Sequence, residues 1–317
     1  MTCINQAAGS IDIMNKNKLR MKRLRETRAL WLFVIPGIVF YLTFKYYPIY
    51  GSQIAFRNYS PWLGFTKSPW VGLKNFERFF RSPDCWRIIR NTLEINLVNL
   101  LIGFPVPIIL AVMISQVSNK RFKKTVQTIT YAPYFISMVV LVGIMYSMFS
   151  PFGGVVSAIA RMLGANPPFI MGDPKLYVWV YVLSSIWQTS GWSAIVYIAA
   201  LSSVSPELHE SAIVDGATRM QRILHIDIPC IRSTIITMLT LAAGQMLTIG
   251  FEKSYLMQNS INMEVSEVLS TYTYKKGLIN GDFSYATAVE LMQCAVNFII
   301  LITVNRISKR VTESSLW

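Results

Sequence analysis

An all-α integral membrane protein, with six transmembrane helices and a hinged pair of short cytoplasmic helices, is the fold this sequence predicts. Three observations lead there. Of 317 residues, 53% are hydrophobic and only 15% charged, and the apolar residues fall in long blocks rather than in the short periodic stripes of a soluble core. The basic residues stand beside those blocks. One polar connection, Ser205–Arg232, carries the cap and turn residues of two short helices.

A membrane-crossing helix needs about 20 mostly apolar residues, and it closes its backbone hydrogen bonds internally where no water can. Blocks of this kind run from Leu30 to Tyr50, Ile88 to Gln116, Val126 to Phe149, Leu176 to Leu201, Ile231 to Phe251 and Tyr285 to Ile307. They leave no stretch large enough for a separate soluble domain. The expected organisation is a basic tail over residues 1–29 and one membrane domain over residues 30–317. The tail is polar and then rich in lysine and arginine, and the first block has no small-residue cleavage site. It therefore reads as a retained cytoplasmic tail, with Met14 an alternative start.

A net charge of +14 would suggest nucleic acid for a soluble protein. Here anionic lipid and the membrane potential account for it, and no nucleic-acid partner is expected. Placing the tail inside also places Lys120, Arg121, Lys123, Lys124, Arg306, Lys309 and Arg310 inside, so both termini are expected to be cytoplasmic. The outer connection Gly51–Arg87 is basic too, but long connections weigh less in topology. Within it, Leu73, Phe76, Phe79 and Phe80 recur at helical spacing against Lys74, Arg78 and Arg81. That pattern predicts a short amphipathic helix on the outer membrane surface. Cys3, Cys85, Cys230 and Cys294 form no C-x-x-C pair, which argues against a disulfide framework or a zinc site.

The connection between the fourth and fifth blocks is the most informative. Ser205 is a good N-cap, Pro206 suits the first helical position, and Glu207 stands where the helix dipole favours an acid. Gly216 tolerates the left-handed geometry that ends a helix. Thr218 can cap a second helix, and Pro229 is expected to stop it. Helices this short are marginal alone in water, so the elbow needs a surface to pack on, and the small Ser211 and Ala212 permit close approach. A fold-back onto the chain's own bundle is the alternative.

This segment resembles the "EAA" loop of binding-protein-dependent ABC importers, in the positions Glu210, Ser211, Ala212, Asp215, Gly216, Ala217 and Pro229, with Ser211 in place of the first alanine. The stretches Tyr47–Phe56, Val71–Phe80, Ala132–Ser137 and Trp187–Ala200 extend the resemblance to the sugar permeases of the maltose and glycerol-phosphate type, and most closely to the LplB-like oligosaccharide group. The resemblance implies a permease subunit in a bacterial cytoplasmic membrane. It implies as partners a second homologous permease in a heterodimer, two ATP-binding subunits and an extracellular solute-binding lipoprotein, with a carbohydrate as solute. The loop over residues 205–232 would dock on an ATPase subunit and couple its motion to the spans. The chain has no G-x-x-x-x-G-K-[ST], so ATP and its magnesium would be held by the partners and this chain needs no cofactor. Neither H-E-x-x-H nor G-x-S-x-G occurs, which argues against an enzyme. Repeated halves, expected of many secondary carriers, are not visible either.

Polar residues inside spans mark a candidate solute path, because buried polar groups in lipid are costly unless they face a cavity or one another. Glu94 and Asn99 in the second block, Gln188 and Trp192 in the fourth, Gln245 in the fifth, and Glu290, Gln293 and Asn297 in the sixth are the candidates. Amides suit hydroxyl-rich solutes and aromatic rings suit the apolar faces of sugars. Helix-to-helix hydrogen bonding is the competing use. His209, His225, Asp227 and Cys230 fit no closed zinc spacing, so no metal is expected.

Overall fold

The computed structural model describes the chain from Arg28 to Thr312. Residues 1–27 and 313–317, including Cys3, Met14 and most of the expected tail, lie outside the described residues. Among the described residues the regular structure is helical, apart from an isolated antiparallel bridge between Arg57 and Trp70. The chain forms two compact units, one ending at Ile54 and one beginning at Ala55. In the first, α1 (Arg28–Tyr41) contains Pro36 and passes into a π-helical turn at Leu42–Tyr46. The second contains α2 (Lys74–Phe80), α3 (Cys85–Val98), α4 (Pro105–Ser115), α5 (Lys120–Tyr131), α6 (Met138–Met148), α7 (Pro174–Ser202) and α8 (Pro206–Val214). It continues with α9 (Arg219–Arg222), α10 (Arg232–Ala243), α11 (Phe251–Met257), α12 (Leu269–Tyr274) and α13 (Phe283–Thr312).

Three helical stretches are long and apolar enough to cross a membrane: Trp31–Phe56, Cys85–Ser115 and Phe283–Arg310. They match the first, second and sixth expected blocks. The third and fifth are bent pairs, with 98° between Lys120–Phe135 and Met138–Met148 and 61° between Arg219–Cys230 and Arg232–Ala243. The fourth falls on α7, whose 29 residues give a length of about 43 Å. Hydroxyl and amide side chains from Ser184 to Ser193 dilute its apolar character.

Two of the breaks have a local cause, and the third is held by distant side chains. Pro133 sits in a 3₁₀ turn at Ala132–Phe135, after which Ser137 caps α6 by accepting from the Val140 N–H. The Gln188 amide then donates to Ile136 O at 2.9 Å, serving a carbonyl that the turn leaves outside any helix. Between α3 and α4, a wide π turn at Asn99–Gly103 absorbs the missing N–H and ring bulk of Pro105. Between α10 and α11 the backbone is not helical from Gly244 to Gly250. Side chains from two other helices satisfy it: Asn96 Nδ2 donates to Met246 O at 2.8 Å, and Asn297 Oδ1 accepts from Leu247 N at 2.9 Å.

Packing centres on α7. A Cβ at Gly191 would stand 2.0 Å from Thr130 O, so the α7 and α5 backbones are in direct contact. Ala194, Tyr197 and Leu201 pack with Ala111, Val112 and Ile231, while Tyr181 and Val182 pack with Ile95, Leu141, Met257 and Val268. Buried Lys253 on α11 donates to Tyr181 O and Ser185 Oγ at 2.9 and 2.6 Å. The amphipathic α2 behaves differently from a uniform surface anchor. Phe79 is buried among Leu269, Tyr272 and Tyr285, whereas Leu73 and Phe80 stay exposed, so one ring seats the helix on α12 and α13.

The loop before α12 is held by Asn262, which is fully buried. Its Nδ2 donates to Met171 O and Met257 O at 3.2 and 3.0 Å, and its Oδ1 accepts from Asn259 N at 2.9 Å. Asn262→Ala leaves Asn259 N without its acceptor, while Met171 O keeps the Asn259 Nδ2 bond and Met257 O the Tyr146 hydroxyl, and it is expected to cost about 1 to 2 kcal/mol. Thermal unfolding of the purified chain measures this, and an unchanged midpoint would show that the network contributes nothing.

Candidate functional site

Two regions carry the residues singled out by sequence. The first is a cavity of about 670 Å³ between α3, the π turn, α4, α7 and α10, within the range of small-molecule sites. Its polar lining is Asn96, Asn99, Thr189, Ser190, Ser193, Gln245 and Thr248, and its aromatic lining includes Trp192 and Tyr197. No Lys, Arg, Asp or Glu lines it.

Local structure explains how these groups point inward. Thr189, Ser190, Ser193 and Tyr197 follow one another at spacings that place them along one side of α7. The Thr189 and Ser190 hydroxyls donate back to Ser185 O and Ile186 O at 2.8 and 2.6 Å, which commits their protons and leaves lone pairs as acceptors. Trp192 stacks on Tyr134 with centroids 4.6 Å apart and planes 5° from parallel, and Phe135 meets it edge-on. The broken third span thus builds an aromatic platform beside the cavity.

Of the path residues read from sequence, Asn99, Trp192 and Gln245 line this cavity. Gln293 and Asn297 sit one layer behind it, donating to Thr248 Oγ1 at 3.3 and 2.9 Å. Gln188 is buried in its bond to Ile136 O. Glu94 is half exposed and faces Arg90 at 3.8 Å, and Glu290 is exposed; neither is part of the lining. Sequence reading missed Thr189, Ser190, Ser193, Thr248 and Tyr134. A four-residue Ser/Thr repeat on an otherwise apolar helix was the available signal for the α7 hydroxyls; nothing local marked Thr248.

The second region is the elbow. Ser205 Oγ accepts from Glu207 N to start α8, and Gly216 ends it at φ +77°. Gly216 N donates to Ile213 O and Ala217 N to Ala212 O, a complete Schellman closure. Thr218 and Gln221 form a reciprocal capping box that starts α9. Pro229 does not end the second helix outright. A π turn at Ile223–Asp227 passes into a further turn, and the bend comes at Ile231. A notch of about 360 Å³ opens between the two arms, lined by Ala212, Asp215, Gly216, Ala217, Gln221 and Arg222 among others. Glu210 and Ser211 are exposed beside it, while Pro229 lies outside the lining. Leu208, Ile213, Val214, Met220 and Leu224 all expose apolar surface here, more than a solvated loop needs. Asp227 is buried and bridges elements: its carboxylate meets His209 Nε2 at 3.2 Å and accepts from Gln116 Nε2 at 3.0 Å.

This bent-span bundle with a projecting elbow has counterparts. Residues 103–313 match the model of the family described as the binding-protein-dependent transport system inner membrane component. The chain belongs to this family. The permease is 40% identical to Protein LplB of Bacillus subtilis (strain 168) over 94% of its own length and 93% of that protein's. It is 39% identical to the polygalacturonan/rhamnogalacturonan transport system permease protein YteP of the same bacterium, over 95% and 94%. Among solved structures, it matches a chain of a bacterial alginate ABC transporter in complex with alginate pentasaccharide-bound periplasmic protein, with TM-score 0.85 and 37% identity over 93% and 99% of the two chains. A second structure, of a bacterial ABC transporter involved in the import of the acidic polysaccharide alginate, matches at TM-score 0.84 and 38% identity over 92% and 98%. The permease is thus a membrane-embedded transport subunit, and the sugar-permease resemblance of its sequence holds across nearly the whole chain.

Proposed function

We propose that this permease carries a carbohydrate oligomer through the cytoplasmic membrane as one subunit of an ABC importer. The observation that carries the reading is the cavity. Amides that donate and accept, the Thr189 and Ser190 hydroxyls left to accept, and an indole stacked on a phenol together suit the alternating polar and apolar faces of a sugar ring. The saccharide transport named for YteP and for the alginate transporter supports the same solute class. In this reading the elbow faces the cytoplasm with both termini, and its notch receives an ATPase subunit. A second permease closes the open side of the cavity, and a binding lipoprotein delivers solute from outside. ATP and magnesium belong to the ATPase partners.

The test is uptake by the assembled importer in proteoliposomes. Trp192→Ala is expected to raise the half-saturating solute concentration roughly tenfold, the effect of losing one aromatic stacking anchor together with its ordered surface, while basal ATP hydrolysis stays unchanged. Gln245→Ala is expected to act in the same direction. Saccharide uptake by both variants at the parental concentration dependence would remove the cavity from the path.

A further inference from the structure

A second cleft, of about 470 Å³, lies apart from the cavity and shares no lining residue with it. Lys74, Glu77 and Arg78 of α2, Arg81 and Ser82 just beyond it, and Tyr272, Lys276 and Tyr285 line it. Two of its four cations already have acids: Arg78 pairs with Asp282 at 2.7 Å and Arg81 with Glu77. Lys74 and Lys276 have no carboxylate within salt-bridge distance among the described residues. The cleft therefore holds a surplus of positive charge inside a concavity.

Its floor is aromatic and fixed. The Tyr272 and Tyr285 hydroxyls share a hydrogen bond of 2.8 Å, and both rings are buried. The Arg78 guanidinium lies 4.6 Å from the Tyr285 ring centre and the Lys276 amine 5.4 Å from that of Tyr272. These contacts orient the cations and reduce the entropy lost when they bind an anion.

Position gives the cleft a direction. It borders the starts of α3 and α13, and the cavity begins at Asn96, eleven residues into α3 and about 16 Å along its axis. The elbow lies at the ends of other spans, so in the proposed orientation the cleft opens outward. The cavity itself offers no charge with which to select a charged solute.

We propose that this cleft is a carboxylate-binding subsite that receives the uronate groups of an acidic saccharide before it enters the neutral cavity. Charge-assisted hydrogen bonds from Lys74 and Lys276 hold the carboxylate, above a floor that the buried Tyr272–Tyr285 pair keeps in place. This assignment rests on the proposed saccharide function and specifies the solute's charge.

The experiment uses the complete importer in proteoliposomes, with trigalacturonate and its fully methyl-esterified form as probes. The double variant Lys74→Gln/Lys276→Gln is expected to lower trigalacturonate uptake at limiting concentration roughly tenfold or more, as expected for removing two charge-assisted contacts. Uptake of the neutral ester should stay unchanged, and Lys74→Arg/Lys276→Arg should restore the acidic probe. The difference should persist in vesicles of neutral lipid only. Equal losses for both probes would overturn the subsite in favour of a contact with the delivering protein, and loss of the effect in neutral vesicles would assign the cleft to lipid phosphate. Unchanged uptake of both probes by the double variant, or an unsubstituted importer that moves the ester and not trigalacturonate, would also overturn it. If the parental importer moves neither probe nor any other saccharide, the proposed function fails instead.

Discussion

Replacing Gly216 with Trp is expected to leave the importer assembled and its basal ATP hydrolysis intact while solute uptake falls roughly tenfold or more, the scale on which one mis-seated interface anchor acts. Within this chain a Cβ at Gly216 meets nothing within 4 Å. The new side chain therefore leaves the backbone into open space and projects beside the notch. Part of the effect is backbone strain, because φ is +77° and a residue with a Cβ pays about 1 to 2 kcal/mol to hold it. Gly216→Ala carries that strain without the bulk. Comparing the two by uptake per ATP hydrolysed separates them: Ala should transport near the parental ratio and Trp well below it. A Trp variant that couples normally would exclude the notch as the seat of the ATPase subunit.

Gly191→Ala is expected to remove most folded permease from the membrane. Its Cβ would stand 2.0 Å from Thr130 O and 2.5 Å from the Thr130 carbonyl carbon. Neither atom can move by a change of rotamer, so α7 and α5 must separate, and the Gln188 bond to Ile136 O, one turn away, is strained with them. Overpacking of this kind costs about 3 kcal/mol or more when backbone opposes it. Gly143→Ala provides the control, since a Cβ at this mid-helix position meets nothing within 4 Å and alanine favours the helix. Detergent-extracted yield and melting midpoint should fall for Gly191→Ala alone, and trimming Thr130 to Gly should not rescue it because the opposing atoms are main chain. Equal behaviour of the two single variants would refute the close approach.

The elbow was legible because its signals are local. Ser205 with Pro206, Gly216, and Thr218 each act on backbone within about four residues of themselves, and the caps formed where those residue types predict them, Gln221 adding the reciprocal half at Thr218. The long helices were legible for a related reason, since about 20 apolar residues suffice to mark a span. The broken spans were not. A hydropathy block reports average apolarity and is blind to where hydrogen bonds close, and the non-helical stretch after α10 is stabilised by Asn96 and Asn297, both distant in sequence. The same blindness affected the candidate path. Glu94 and Glu290 drew attention as the costliest residues in their blocks, yet neither lines the cavity, Glu94 lying beside Arg90 and Glu290 on the outer face of the chain. Thr189 and Ser190 of α7, cheap in a helix because they bond back to it, and Ser193 beside them gave the cavity three of its seven polar lining residues.

The Asp227 carboxylate ties α8, through His209, to Gln116 just beyond the end of α4. In the chain, that span is separated from the elbow by four intervening α-helices, namely α5, α6, Val155–Met162 and α7. A push on the hinged pair is thus delivered sideways as well as along the connecting polypeptide. In the proposed importer the elbow would serve as a lever with its fulcrum inside the bundle, and severing that mooring would let it swing while the wall of the cavity stood still.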